Sequence, residues 1–363
     1  MSFAPTPYAA PDFSRGALAS APDAALAPAP LDGVAPGNYH AMSIFPEYFR
    51  VHGRWLLAKE SRMDCVAVLE GDEIAVREFR HLRAGDRVFV GRSEDGSEGI
   101  YVHADGFGAQ AGASDTFAFR QRRSRETAFS RDYDELYDLL RYERDNGGRI
   151  VWVMGPACAF DFDARAAFSA LVDNGYVHAL LAGNALATHD LEGAYLGTAL
   201  GQNIYTQQSA PLGHYNHLDT INRVRACGSI PAFIESEGIR DGILFHCLKA
   251  GIPVVLAGSI RDDGPLPEVI GDVYAAQDAM RAQIRTATTV ICLATTLHTI
   301  AVGNMTPSYR VTADGTVRPV YFFTVDISEF SVNKLGDRGS LSARSFVTNV
   351  QDFMVNVRKG LNL

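Results

Sequence analysis

From Arg149 to the C-terminus, short apolar runs alternate with longer stretches whose apolar residues return every three or four positions. The runs IVWVMG, VHALLAG, IPVVLAGS, TTVICLA and VYFFTVD are too short for helices and too continuously apolar for strands with one wet face, so they predict buried strands of a mainly parallel sheet. Between them, helical spacing predicts helices over 162–174, 213–226, 273–287 and 347–359. Strands and helices in alternation give an α/β fold, Rossmann-related, with helices covering both faces of the sheet.

The pattern upstream is different. Residues 41–118 hold RWLLA, DCVAVLE, EIAVREF and DRVFVG divided by turn sequences, which predicts a smaller, mostly β domain. Residues 119–148 are dense in charge and place Tyr133, Leu136, Leu139 and Leu140 at helical spacing ahead of Gly147 and Gly148, so a linking helix is expected there, leading to an α/β domain over 149–363. Residues 1–40 are rich in Ala and Pro and poor in large apolar side chains, which predicts a disordered arm.

Composition narrows the function. A balance of 47% hydrophobic to 21% charged residues suits a packed globular chain, and a net charge of −9 gives no general attraction to nucleic acid or anionic lipid. No apolar run approaches the roughly 18 residues of a membrane span, and the N-terminal region lacks the order of a secretory signal, so a cytoplasmic protein is expected. The five cysteines have no CxxC spacing and sit mostly in apolar runs, where they read as core residues.

In a parallel sheet, chemistry gathers beyond the carboxyl ends of the strands. VHALLAG is followed by Asn184, Ala185, His189, Asp190 and Glu192; IPVVLAGS by Arg261, Asp262 and Asp263; TTVICLA by Thr295, Thr296, Leu297, His298 and Asn304. VYFFTVD ends on Asp326, with Lys334, Asp337 and Arg338 beyond it. Asp190 and Asp263 also suit helix capping, and His298 alone also suits a hydrogen-bonded core position. An acid closing a nucleotide-binding strand accepts ribose hydroxyls and repels a 2′-phosphate, so Asp326 favours NAD over NADP. No GxGxxG follows any run, which argues against an ordinary dinucleotide fingerprint. His214 and His217 are three residues apart, on one face if helical, but lack a third ligand. Substrate contact is expected of them and no metal.

Several long segments, among them LLAGNALATHDLEGAYLGTALG, GHYNHLDTIN, VLAGSIRDDGPLPEVIGDVYAAQDAMR, ATTLHTIAVGNM and KLGDRGS, resemble the archaeal-type ornithine cyclodeaminase family, also described as the conserved domain of lysine-ketoglutarate reductase and saccharopine dehydrogenase. The resemblance runs from about Phe45 to the C-terminus. It implies a nucleotide domain distantly similar to that of deoxyhypusine synthase, and NAD held by Asn184, Ala185, Asp263, Thr295, Thr296, Leu297, His298, Asp326, Asp337 and Arg338. It implies a lyase of amino-acid metabolism and proline biosynthesis: hydride leaves the α-carbon of ornithine, the side-chain amine closes on the imine, ammonia departs, and hydride returns to give proline. Lys334 and Asp262 are the catalytic candidates, with a histidine as another source of the base; Arg50, Arg54 and Arg261 are available to the substrate carboxylate. A homo-oligomer, dimer or tetramer, is implied as well. The segment RRSRETAFSRDYDE departs from the family pattern, which keeps open another amine substrate (including aminoalkyl transfer) or a non-catalytic NAD-binding regulator.

Overall fold

The computed structural model describes residues 3–108, 130–262, 264–328 and 342–363. A short helix α1 (Gly16–Ala19) and strand β1 (Ala25–Pro28) precede β2 (Glu47–Val51), β3 (Arg54–Leu57), β4 (Val66–Glu70), β5 (Glu73–Arg77), β6 (Arg87–Val90) and β7 (Ile100–Val102). They form two antiparallel sheets, β1-β6-β4-β5 and β3-β2-β7. Phe49, Ala67, Leu69, Phe89 and Ile100 build their shared core.

The Ala/Pro-rich arm is ordered where it is described, contrary to the disorder its composition predicts. Strand β1 closes the edge of β6, from Ala25 opposite Val90 to Pro28 opposite Arg87. Phe13 stacks on Trp55 with ring centroids 4.8 Å apart, and the Tyr8 and Tyr48 hydroxyls share a hydrogen bond of 2.7 Å. Phe3 packs against Tyr142 and Tyr321. A few rings and one strand's worth of backbone bonds hold the arm, and every partner is distant in sequence, so local composition carries no sign of it. Phe13→Ala should lower the unfolding free energy by about 1–2 kcal/mol, because the ring is only half-buried, and should hasten proteolysis within the arm. Urea denaturation and limited proteolysis check both effects.

The second region runs α2 (Ser130–Asp145), β8 (Ile150–Met154), α3 (Phe162–Asp173), β9 (Ala179–Gly183), α4 (Asn184–Leu196), the small hairpin β10 (Thr198–Ala199) and β11 (Gln202–Asn203), then α5 (Asn216–Cys227), α6 (Ile230–Ser236) and α7 (Ile243–Lys249). It continues through β12 (Val254–Ala257), α8 (Val273–Ile284), β13 (Thr289–Leu293), α9 (Thr296–Met305), the hairpin β14 (Tyr309–Val311) and β15 (Val317–Pro319), β16 (Tyr321–Asp326), β17 (Ala343–Val347) and a C-terminal helix, Val350–Gly360.

Six of these strands make one parallel sheet in the order β12-β9-β8-β13-β16-β17. Strand alternation divides its side chains between two cores. Trp152, Met154 and Leu293 face the layer that holds α3 and the C-terminal helix, whereas Val151, Val153, Val290 and Cys292 face α8 and α9. Every residue of β8 and β13 is buried, which explains their unbroken apolar runs. Glu143 ties α2 to the sheet: fully buried, it accepts from Arg318 at 2.6 Å and from the Thr289 hydroxyl at 2.9 Å.

The β-rich region docks on α8 through Arg80 with Asp278 and through Glu78 with Arg281, and on the β14–β15 hairpin through the Tyr309 hydroxyl, which donates to the Ala58 carbonyl at 2.6 Å. All five cysteines are free, and burial pushes the thiols of Cys65 and Cys158 up to about 11 and about 12. No helix among the described residues is long and apolar enough to cross a membrane.

Candidate active site

Numbered along the chain, the sheet runs third-second-first-fourth-fifth-sixth, the order of a doubly wound nucleotide-binding fold. The order reverses between β8 and β13, and the crevice above that junction is where such sheets take ligands. Gly155, directly after β8, donates its N–H to the Leu293 carbonyl at 2.8 Å. A Cβ at Gly155 would overlap the Ala294 carbonyl oxygen and lie 3.3 Å from the Thr295 Cβ. Ala294 itself has φ +46° and turns the chain out of β13 into α9. Thus the strand ends meet backbone to backbone, and the floor of the crevice is bare.

On one side of this junction lie the ends of β9 and β12. His298, in the first turn of α9, sits over Gly183, whose Cβ would be 3.1 Å from the imidazole Cε1. Burial pushes the His298 pKa below the ordinary histidine value, while the charge of Asp262 works in the opposite direction, so the ring is neutral at pH 7. Asp262 is held by its own turn, accepting from the Ser259 N–H at 2.7 Å. Asn184 Oδ1 accepts from the Leu266 N–H at 3.0 Å, pinning the loop after β12 to the start of α4. On the other side, Asp326 ends β16 next to the end of β13, with one oxygen accepting from the Ser328 N–H at 2.8 Å. Thr296 and Leu297 are exposed at the start of α9, and Arg261 is exposed beside Asp262.

The parallel sheet therefore brings Asn184, Ala185, Asp262, Arg261, Thr295, Thr296, Leu297, His298 and Asp326 to one edge. Asp263, Lys334, Asp337 and Arg338 lie outside the described residues. Arg50 and Arg54 belong elsewhere: they stand on the β2–β3 hairpin, where Arg50 bonds the Ala21 carbonyl and pairs with Asp23 at 3.9 Å, while Arg54 reaches Asp72 at 4.0 Å. The ordered arm, absent from the sequence-based picture, is what engages Arg50. His214 and His217 do not share a face. His214 is exposed beside Tyr215 in a 3-10 turn, and His217 opens α5 and turns toward His189. Among the described residues no three His, Cys, Asp or Glu side chains form a metal-binding group.

Two of the polar residues after β9 are structural. Asp190 is buried, pairs with buried Arg165 at 3.0 Å, and accepts from the Ile243 and Leu244 N–H groups at 2.9 and 2.8 Å, so it caps α7 and not its own helix. Fully buried Glu192 accepts from the Thr198 hydroxyl at 2.7 Å and from the Leu200 and Gly201 N–H groups at 3.0 and 2.9 Å. These bonds hold α4 and the β10–β11 hairpin together as a cap leaning on the turn Pro156–Phe160 that follows β8.

Comparison with known proteins agrees with this architecture. The family model described as arginine dihydrolase ArgZ-like, C-terminal, Rossmann fold matches residues 135–357. Ornithine cyclodeaminase from Methanocaldococcus jannaschii is 38% identical over 335 residues, covering 91% of this chain and 75% of that protein. The chain belongs to the ornithine cyclodeaminase family. A crystal structure of the conserved LOR/SDH protein of Methanococcus maripaludis superimposes with a TM-score of 0.84 at 35% identity, covering 94% of this chain and 98% of that one. The ternary complex of AgrE with ornithine and NAD+ superimposes with a TM-score of 0.59 at 33% identity, covering 95% of this chain and 46% of AgrE.

The family match spans the whole crevice and its cap, including Gly155, which sequence reasoning passed over. The signal was present: GPA follows the first apolar run directly, and a glycine at that point is where a doubly wound sheet needs room. The crevice fits a dinucleotide on its own geometry: a glycine floor at the switch point, the start of the ten-residue helix α9 at its rim, and a carboxylate one strand over.

Proposed function

We propose that this member of the ornithine cyclodeaminase family uses NAD to convert L-ornithine, or a closely related diamino acid, to proline or the corresponding cyclic imino acid, releasing ammonia. The observation that carries the reading is the AgrE complex, which holds ornithine and NAD+ together in a protein alignable with 95% of this chain. Bound NAD supplies a reversible hydride acceptor for the substrate α-carbon, so no net NADH is expected.

The chain's own residues provide placement. The first turn of α9, at Leu297 and His298, offers backbone N–H donors to a diphosphate, and Gly155 lets the Ala294 carbonyl pack close enough to set that turn in place. Asp326 takes the ribose hydroxyls, with Asn184, Ala185, Thr295, Asp263, Asp337 and Arg338 as further contacts. Arg261 is the arginine at the edge suited to the α-carboxylate, and Asp262 and Lys334 are retained as candidates that touch the reacting amines. Neutral His298 adds a hydrogen-bonding group without a charge that would compete for the substrate carboxylate. The cap excludes water, which protects the imine from hydrolysis and keeps the side-chain amine within attacking distance.

Incubating the protein and NAD with L-ornithine should yield proline and ammonia in equal amounts without net NADH. Tight NAD binding without turnover of ornithine would redirect the search to other amine substrates. Asp326→Ala should raise the Kd for NAD about tenfold, or about 1.4 kcal/mol, and reduce discrimination against NADP. Calorimetric titration with both nucleotides tests this, and an unchanged NAD affinity would remove the ribose from Asp326.

A further inference from the structure

We infer that His189, oriented by Glu192, carries protons between the two nitrogens of the substrate during ring closure; this deepens the cyclodeaminase reading above and rests on it. His189 lies on α4 with its ring against Phe160, centroids 5.1 Å apart, in the turn that leaves β8 at the switch point. Its Nδ1 is 3.3 Å from Glu192 Oε2. Burial alone would raise the Glu192 pKa, but hydrogen bonds from His189, Gly201, Thr198 and Leu200 outweigh it and hold the carboxyl below its usual range. A fixed carboxylate takes the Nδ1 hydrogen, which leaves the lone pair on Nε2, the tautomer of a proton acceptor.

The feature that separates this pair from a merely structural one is what remains unpaired. Nε2 of His189 has no protein hydrogen-bond partner among the described residues. Facing it is His217, ring centroids 6.4 Å apart, whose Nδ1 is sealed from solvent and also has no partner. The rings are too far apart to bond each other directly, yet close enough for one small donor to bridge them. The sealed His217 Nδ1 lacks a partner at a cost in stability, and a primary amine or ammonium between the rings satisfies it while also donating to His189 Nε2. Phe160 packs on the ring, and Thr198, which donates to Glu192, accepts from Asn216 at 2.8 Å. Among the described residues, Glu192 and His217 are the titratable groups recorded against the His189 ring, and Asp190 on the same helix is turned to Arg165 and α7.

The chemistry closes on itself. With the α-carbon at the imine level, the side-chain ammonium gives one proton to Nε2 and becomes nucleophilic. Its nitrogen bonds to the imine carbon, the C=N π pair moves to the α-nitrogen, and that nitrogen takes the proton back from the imidazolium. A second proton then passes the same way from the ring nitrogen to the α-amine. The bond from carbon to the α-nitrogen breaks, ammonia leaves, and the ring nitrogen lone pair forms the cyclic C=N. The imidazole ends neutral, as it began.

His189→Gln keeps the volume and removes the base. With L-ornithine and NAD, the variant should lose about 100-fold in proline formation, bind NAD with unchanged Kd, and accumulate NADH absorbance because the substrate halts at the imine. In the wild-type enzyme, the decay of any NADH transient should slow in D2O, because protons pass between the two substrate nitrogens during closure, and this requires no variant to fold. Proline formation unchanged by the substitution, its loss without NADH accumulation, or a wild-type decay unchanged in D2O would each overturn the role of His189. Failure of the wild-type protein to form proline from L-ornithine instead overturns the cyclodeaminase reading.

Discussion

A methyl group added at Gly155 is expected to raise the Kd for NAD at least 100-fold and to cost about 1–3 kcal/mol of stability. The backbone there is ordinary, with φ −82° and ψ 171°, so the requirement is room and not conformational freedom. The new Cβ meets the Ala294 carbonyl, a backbone atom that cannot rotate aside as a side chain does. Relief requires the ends of β8 and β13 to part, which breaks the Gly155 to Leu293 hydrogen bond and displaces the start of α9. Gly303→Ala is the control: on α9 as well, its Cβ finds only Phe322 Cζ at 3.6 Å, an ordinary contact. Titration of both variants with NAD separates the cases, and wild-type affinity in Gly155→Ala would show that the nucleotide lies elsewhere.

The largest stability effect should come from Asp190→Ala, about 3–5 kcal/mol. Removing this carboxylate leaves the Arg165 guanidinium buried with only Asp241, 3.3 Å away and half-exposed, to answer it. It also strips the N–H groups of Ile243 and Leu244 of their acceptor. Asp190→Asn should lie between, since an amide oxygen can still accept one N–H while the charge is lost. Urea midpoints for the three proteins measure the series; a loss below 1 kcal/mol in the alanine variant would mean that water enters and replaces the carboxylate.

The sheet was legible because buried parallel strands advertise themselves as short apolar runs, and each predicted run became a strand. The clusters following them share an edge because all six strands run the same way. Helix α4 was not legible. Its His189, Asp190 and Glu192 read as turn residues, yet all three are buried because Arg165, the α7 amides and the Thr198–Gly201 turn lie around them. Tertiary partners reversed the polarity signal on which helical periodicity depends. Strand β17 was missed for a different reason: ARSFV is half-buried at the sheet edge and sets polar Arg344 and Ser345 side by side, which breaks both the continuous apolar run and the alternation of a strand. His217 was singled out for its spacing from His214, whereas its structural neighbour is His189, a pairing that no sequence interval encodes.

The docked arm sets an order of events during synthesis. Strand β1 leaves the ribosome well before β6, the edge it completes, and Phe3 waits for Tyr142 and Tyr321. Until those partners emerge, the nascent arm has no surface of its own to fold upon, and once β6 is made its edge stays open to any extended segment nearby until the arm closes on it. Closure of the arm is therefore a late step that reports the completion of both regions. The same dependence makes cleavage within residues 3–28 a sensitive gauge of how much of a preparation has reached its final state.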